Sequence, residues 1–103
     1  MKKVLLLITT APNRLIAKNI AELVVKRKLA ACVSIKEVIS FYEWKGRIEQ
    51  GEEIEITIKS TPENLNELTK VLKEKITYEL PQLIYKLFDS EIKYFNWVKE
   101  SVN

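Results

Sequence analysis

The sequence predicts an α+β fold, an antiparallel sheet with the order β-α-β-β-α-β along the chain, followed by a C-terminal helix. Apolar residues alternate with polar ones in two long runs, and they recur every three to four positions in two others. Glycine or proline stands beside several of these runs. A length of 103 residues suits a single domain, 1–103, with its own core.

The longest predicted feature is a hairpin over residues 30–61. Both glycines lie in its predicted tip, 45–51, where a reversing backbone needs positive φ. One arm, 31–44, spans roughly 45 Å as a strand, whereas a 16-residue helix covers only about 24 Å. The hairpin therefore extends beyond the helices. Its aromatic residues Phe41, Tyr42 and Trp44 are predicted to form an interface with further copies of the chain.

The first strand and helix are predicted from a continuous apolar run and a helical stripe. Residues 4–8 predict a strand that is covered on both faces and ends at residues 9–13. Asn13 is expected to be the N-cap of a helix that reaches about residue 28. Its buried stripe is expected at Ile16, Ile20, Leu23 and Val24.

Alternation assigns the faces of the two hairpin strands. Val33 and Ile35 are expected on the helix-covered face, together with the isoleucines of the third strand. The opposite face then carries Cys32, Ser34, Thr57 and Lys59.

Thr61 and Pro62 predict the cap and first position of the second helix. Pro81 follows the end of the second helix. Residues 83–88 are the predicted fourth strand. Asp89 and Ser90 are expected to cap the last helix. The buried stripe of the second helix is expected at Leu65, Leu68, Val71, Leu72 and Ile76. This order of elements is the ferredoxin-like arrangement. Two helices cover one face of the sheet, so the other face needs a further cover.

Composition excludes several classes of function. The chain contains no histidine, so Ser-His-Asp and Cys-His catalysis are excluded within it, and no enzymatic activity is expected. A net charge of +3 is too small to indicate nucleic acid binding. No run approaches the roughly 20 apolar residues of a membrane span. The single cysteine, Cys32, favours a reducing compartment, and a cytoplasmic location is expected.

Three groups of residues are candidates for ligand binding. Tyr78 and Glu79 place a phenol and a carboxylate at a helix-to-strand corner, expected near Lys59, where a packed turn is an equally good interpretation. Cys32 is either a thiolate ligand for a soft metal or a small buried side chain. The glutamates near the hairpin tip lack the spacing of a Ca²⁺ loop and are expected to be solvated. They are Glu49, Glu52, Glu53 and Glu55.

Six stretches, in order along nearly the whole chain, resemble the CutA divalent-cation tolerance family. They are TTAP at 9–12, LAACV at 29–33, YEWKGRIE at 42–49, IKST at 58–61, YELP at 78–81 and YFNW at 94–97. The resemblance implies a homotrimer joined through long hairpins, shaped like the PII signalling proteins, with a role in the response to divalent metal ions such as copper. It implies no enzymatic reaction.

The resemblance does not extend to the metal ligands of the family. Those ligands are a cysteine near the end of the first strand and a histidine before the Pro-Tyr corner. Here the positions hold Thr9, Lys75, Ile76 and Thr77. The resemblance implies a copper-type cation as the candidate ligand, and no other cofactor is expected. Because these positions lack the family's ligands, no metal-ligating residue is assigned.

Two alternative functions stay open at this point. One is a PII-like sensor that binds a small anionic molecule in clefts between subunits, and the other is a scaffold that docks a partner through its hairpin tips. The clefts would be lined by Cys32, Trp44, Lys59, Tyr78 and Glu79.

Overall fold

The computed structural model describes residues 2–103 and confirms the predicted α+β fold. Its strands form one antiparallel sheet in the spatial order β2-β3-β1-β4. The elements are β1 (Lys3–Ala11), α1 (Arg14–Lys26), β2 (Cys32–Trp44), β3 (Arg47–Ser60), a 3₁₀ turn (Pro62–Asn64), α2 (Leu65–Lys75), β4 (Ile84–Asp89) and α3 (Ile92–Ser101).

The main core lies between one face of the sheet and the helices α1 and α2. Leu7 of β1 lies opposite Ile58 of β3, and both side chains are fully buried. The helices complete this core with their predicted stripes, which include Ile20 of α1 and Leu68 of α2. Each such aliphatic side chain contributes about 1.5–3 kcal/mol by leaving water.

The second face of the sheet, which we call the open face, is covered only at one end. Val4 of β1 and Val98 of α3 are buried there, outside the main core. Leu6 and Ile8 point the same way as Val4 but remain partly exposed. The predicted need for a further cover on this face is therefore met only in part by α3.

The hairpin is as long as predicted. Its register runs without interruption from Cys32 opposite Lys59 to Trp44 opposite Arg47. The pairing of β1 with β3 ends at Ala11 and Ile54, so hairpin residues 38–53 have no third strand beside them. We call residues 38–53 the overhang. At about 3.3 Å per residue it projects roughly 20 Å beyond β1, and the protein measures 45 × 25 × 22 Å.

The predicted seven-residue tip was wrong. The turn consists of Lys45 and Gly46, whose φ angles are 51° and 81°. Two central residues with positive φ match the twist of the paired strands, so a two-residue turn suffices. Gly51 lies inside β3, opposite Ser40, where a Cβ would meet no atom within 4 Å.

The predicted end of β1 was also wrong. The strand continues to Ala11 because Thr9, Thr10 and Ala11 pair with the central part of β3. The side chains of Thr9 and Ala11 are fully buried on the helix-covered face. Small polar residues that are typical of a turn are held here as a strand by long-range pairing.

One of the three predicted caps is confirmed. The Asn13 side chain accepts a hydrogen bond from the Ile16 amide at 2.9 Å. The Thr61 hydroxyl caps no helix and instead accepts a hydrogen bond from Asn64 Nδ2 at 2.9 Å, so α2 begins only after the 3₁₀ turn. The prediction for α3 was wrong by one or two residues, because the cap is Glu91 rather than Asp89 or Ser90.

Candidate functional site

A hollow of about 690 Å³ lies between the overhang and the segment 78–82, which joins α2 to β4. Its volume is in the range of small-molecule sites. It is lined by Thr10, Ser40, Phe41, Tyr42, Glu43, Trp44, Glu53, Tyr78, Glu79, Leu80 and Gln82. We refer to it as the hairpin hollow.

Strand alternation brings three of the hollow's β2 side chains to one side, whereas Phe41 and Glu43 alternate with them and face the helix-covered side. Ser40, Tyr42 and Trp44 occupy alternate positions of β2 and therefore share the open face. Glu53 faces the same way because it lies opposite Val38, which has the same parity. Tyr78 reaches this face from the segment after α2.

The Glu53 carboxylate lies among the hydroxyls of Ser40, Tyr78 and Thr10. Partial burial raises its pKa, but hydrogen bonds from the hydroxyls of Ser40, Tyr78 and Thr10 together hold the pKa below its ordinary value of 4.5. Burial and the neighbouring Glu53 carboxylate raise the pKa of the Tyr78 phenol well above its usual range. At neutral pH the pair is therefore an ionised acid facing a neutral phenol.

The structure divides the predicted ligand-binding residues into two groups. Trp44, Tyr78 and Glu79 line the hairpin hollow. Cys32 and Lys59 lie opposite each other at the other end of the hairpin. Lys59 is six positions along β3 from Glu53, roughly 20 Å at strand spacing, so the expected nearness of Lys59 to Tyr78 within one chain was wrong.

The sequence analysis missed the polar residues that surround Tyr78 in the hollow, which are Thr10, Ser40 and Glu53. Thr10 was assigned to a turn, and Glu53 was read as a solvated hairpin charge. The alternation of Ser40 with Tyr42 and Trp44 was a signal that could have placed Ser40 at the site. The nearness of Tyr78 to Glu53 depends on tertiary packing and has no local signal.

The predicted interface residues lie on the overhang. Phe41 is 67% exposed and Tyr42 is 49% exposed, while Trp44 is half-buried beside the hollow. Neighbouring Ile39 is 60% exposed.

Comparison with known proteins identifies the family. The family model of the CutA1 divalent ion tolerance protein matches residues 5–101. The chain belongs to the CutA1 divalent ion tolerance family. The resemblance that the sequence motifs predicted is therefore confirmed, and it extends over almost the whole chain.

Individual CutA proteins agree with this assignment. A CutA homolog from Xenopus laevis is 37% identical over 95 residues, which are 90% of this chain and 63% of that protein, so the chain spans less than two thirds of its length. CutA from Synechococcus elongatus PCC7942 has a TM-score of 0.94 at 32% identity, covering 100% of this chain and 93% of the other. The periplasmic divalent cation tolerance protein CutA from Archaeoglobus fulgidus has a TM-score of 0.93 at 29% identity, covering 97% and 99%.

The residues at the family's metal positions do not fit a copper-type ion. Thr9 is fully buried, and its hydroxyl has no hydrogen-bond partner within the described part of the chain. Ile76 is buried in the apolar core. Copper-type ions prefer thiolate, thioether or imidazole ligands. Across residues 2–103, no three His, Cys, Asp or Glu side chains converge in a way that could hold a metal.

The helices of residues 2–103 include none with the length and apolar character that a membrane crossing requires.

Proposed function

We propose that this CutA1 family member acts in the response to divalent metal ions as a homotrimer, and that it does so without the family's Cys and His copper ligands. The observation that carries this proposal is the match of residues 5–101 to a divalent ion tolerance family. The A. fulgidus relative is likewise a divalent cation tolerance protein. A binding or scaffolding role is proposed rather than an enzymatic one, since several relatives are divalent-cation tolerance proteins and the chain has no histidine.

The overhang supports the proposed assembly. Ile39, Phe41 and Ile48 continue the apolar pattern of the helix-covered face, but no helix reaches them, and they are 60%, 67% and 76% exposed. Aromatic and aliphatic anchors of this kind are typical of subunit interfaces. The hairpin strand β2 is also an edge strand, with backbone groups available for pairing.

We also propose a cytoplasmic location, which the single cysteine supports. The A. fulgidus relative is periplasmic, so fractionation of cells that express the full-length protein is the deciding measurement. Recovery with periplasmic markers would contradict the proposal.

The experiment that tests the metal role is growth of a strain that lacks the gene, over graded Cu²⁺, Zn²⁺ and Cd²⁺, with and without complementation. Reduced tolerance that the wild-type gene restores is the expected result, and unchanged tolerance to all three ions would contradict it. Calorimetric titration with Cu²⁺ tests the ligand assignment separately. Weak binding is expected, and tight stoichiometric binding would show that other residues bind the ion.

The anionic-ligand alternative is not carried forward. Within one chain, the hollow that contains Trp44, Tyr78 and Glu79 has no lysine or arginine in its lining, and Lys59 lies at the other end of the hairpin, so nothing in the chain supports an anion site.

A further inference from the structure

We propose that α3 is a hinged cover of the open face, and that residues 102–103 are the latch that holds it closed. When the latch is released, α3 swings away from the sheet as one unit about residues 89–91. The inference goes beyond the metal-ion role and the assembly proposed above, because it concerns contacts that are made within a single chain.

The cover is held by little apolar burial of its own. α3 packs on β1 and β3, but within residues 2–103 Val98 is its only buried residue. The helices α1 and α2 each bury three. Elements with few buried apolar contacts are the first to open locally. The attachment of α3 therefore depends on what holds its two ends.

The chain enters α3 through a fixed point. The backbone N–H of Ser90 donates to the Lys2 carbonyl at 2.9 Å, which ties the segment before α3 to the start of the chain's first strand. Lys3 Nζ and Asp89 Oδ1 form an ion pair beside it at 2.6 Å, and Glu91 then caps the helix. The start of α3 therefore stays in place if its far end is released, which makes this segment the hinge.

The chain leaves α3 through a second fixed point, which is the latch. The helix ends at Ser101, Val102 is extended, and Asn103 contacts the end of α1, a helix of the opposite face. The backbone N–H of Asn103 donates to the Lys28 carbonyl at 2.9 Å. Its side-chain Nδ2 donates to the Arg27 carbonyl at 3.1 Å. The latch thus joins the cover of the open face to a helix of the covered face.

The end of α1 supplies these acceptors because of the way the helix terminates. Lys28 has a positive φ of 59°. The amides of Lys28 and Leu29 donate back to the carbonyls of Val25 and Val24, at 3.0 and 2.9 Å. This turn satisfies earlier carbonyls of the helix but not those of Arg27 and Lys28. The latch supplies the donors for these two carbonyls.

A buried amide favours the closed state. Asn64 is 5% exposed, and its Nδ2 donates to Thr61 Oγ1 at 2.9 Å and to the Asn103 carbonyl at 3.2 Å. Lifting the latch removes the second acceptor, and a buried donor that loses its acceptor is costly. The bond from the Asn103 side chain is exposed, by contrast, so water can replace it. The latch therefore holds α3 closed but can be released.

Opening of the cover would uncover apolar side chains of the sheet. Val4, which is 6% exposed, lies beneath it. Beside Val4 is a hollow of about 250 Å³ whose walls include Leu6, Phe88 and Tyr94. The bonds of the latch join groups of the same chain, so contacts between copies through the overhang leave them in place. Release of the latch is therefore detectable as new apolar surface in whatever assembly the chain forms.

The test is hydrogen-deuterium exchange of the full chain, measured by mass spectrometry at the oligomeric state that it has in solution. Wild-type α3 is expected to exchange faster than α1 and α2. Asn103→Pro removes both donors of the latch, and Val102 already has the extended conformation that a following proline favours. This variant should speed the exchange of α3 by about fivefold, with the middle turns of α1 and α2 unchanged.

Further variants assign the effect to the latch. Asn103→Ala removes only the side-chain donor and should speed the exchange of α3 by a smaller factor. Asn64→Ala, far from α3 in sequence, removes the donor to the Asn103 carbonyl and should also speed it. Asn96→Ser, an exposed amide in the middle of α3, is the matched control with similar helix propensity and should leave it unchanged. Binding of the dye anilinonaphthalene sulfonate should rise in Asn103→Pro and not in Asn96→Ser.

Three results would overturn the inference. The first is a wild-type α3 that exchanges as slowly as α1 and α2, which would show that it does not open separately. The second is equal acceleration of all three helices in Asn103→Pro, which would show a global loss of stability. The third is unchanged exchange of α3 in that variant, which would show that the segment holds nothing. None of these results bears on metal tolerance, which is read from growth, so the two proposals fail separately.

Discussion

The helix-covered part of the hairpin and its overhang carry the same sequence pattern in different surroundings. Near the helices the alternating isoleucines of β3 are buried, fully so at Ile56 and Ile58. In the overhang the same face carries Ile39, Phe41 and Ile48, which are all exposed. The comparison teaches that alternation identifies the side chains that require a cover, while the reach of the helices decides which of them receive it within one chain.

The largest expected effect is on the free energy of unfolding, which should differ between a covered and an exposed position of the hairpin. Ile58→Ala should lower the free energy of unfolding by about 3 kcal/mol, because it opens a cavity in the main core. Ile48→Ala, at the exposed end of the same hairpin, should change the free energy of unfolding of the dissociated subunit by less than about 0.5 kcal/mol, because only a further copy of the chain would cover it. Urea unfolding of both variants checks the difference. Equal losses would show that the overhang is as fully covered as the core.

The next effect concerns assembly. Phe41→Asp places a charge on the apolar face of the overhang and should reduce the molar mass measured by light scattering, since loss of an interface anchor costs on the order of 2 kcal/mol or more. Leu15→Asp is the matched control, because Leu15 is a comparably exposed apolar residue, 69%, that belongs to α1 and not to the overhang. A wild-type protein that elutes as a monomer at micromolar concentration would contradict the proposed homotrimer.

A smaller effect is expected at the hairpin hollow. Tyr78→Phe removes one hydroxyl from Glu53 and should cost about 1 kcal/mol at neutral pH. The folded-state pKa of Glu53 is lowered, so its contribution is present above the ordinary value of 4.5 and is lost as the pH falls through the folded-state pKa.

Unfolding midpoints across that acid range check this prediction. The variant should lose less stability on acidification than the wild type does, while Tyr94→Phe on α3 should retain the wild-type profile. If the stability of Tyr78→Phe depended on pH as the wild-type stability does, the phenol would not influence the Glu53 carboxylate.

The smallest effect has the opposite sign. Thr9→Val removes a buried hydroxyl that has no partner among the described residues while nearly keeping its shape, so stability should rise by up to about 1 kcal/mol. Thr10→Val removes a hydroxyl that interacts with Glu53 and should lower stability instead. Thermal unfolding of the two variants compares adjacent positions on opposite faces of β1. A loss of stability in Thr9→Val would show that its hydroxyl is satisfied.

The order of elements was predictable because its signals are local. Helical spacing located the stripes of α1 and α2, and alternation gave the correct faces for β2 and β3, including the face that Cys32 and Lys59 share. The extension of β1 through Thr9–Ala11 was not predictable, because it depends on pairing with β3 rather than on local preference.

The candidate site was only partly predictable for the same reason. Trp44, Tyr78 and Glu79 were recognised as unusual residues, and the structure places all three around one hollow. Glu53 was missed because its neighbours Thr10 and Tyr78 come from segments distant in sequence. Lys59 was misplaced because nearness along a strand depends on register, which alternation alone does not give.

The edge position of β2 has a consequence for how copies add to one another. Its 13 residues have β3 on one side and no strand on the other within residues 2–103. If this edge receives a different surface of the next copy, the contact is head-to-tail, and such contacts either close into a ring or continue as a filament. A ring of three closes only when each contact turns the chain by a third of a revolution, so the angle at which this edge meets the next copy decides between a closed ring and a filament.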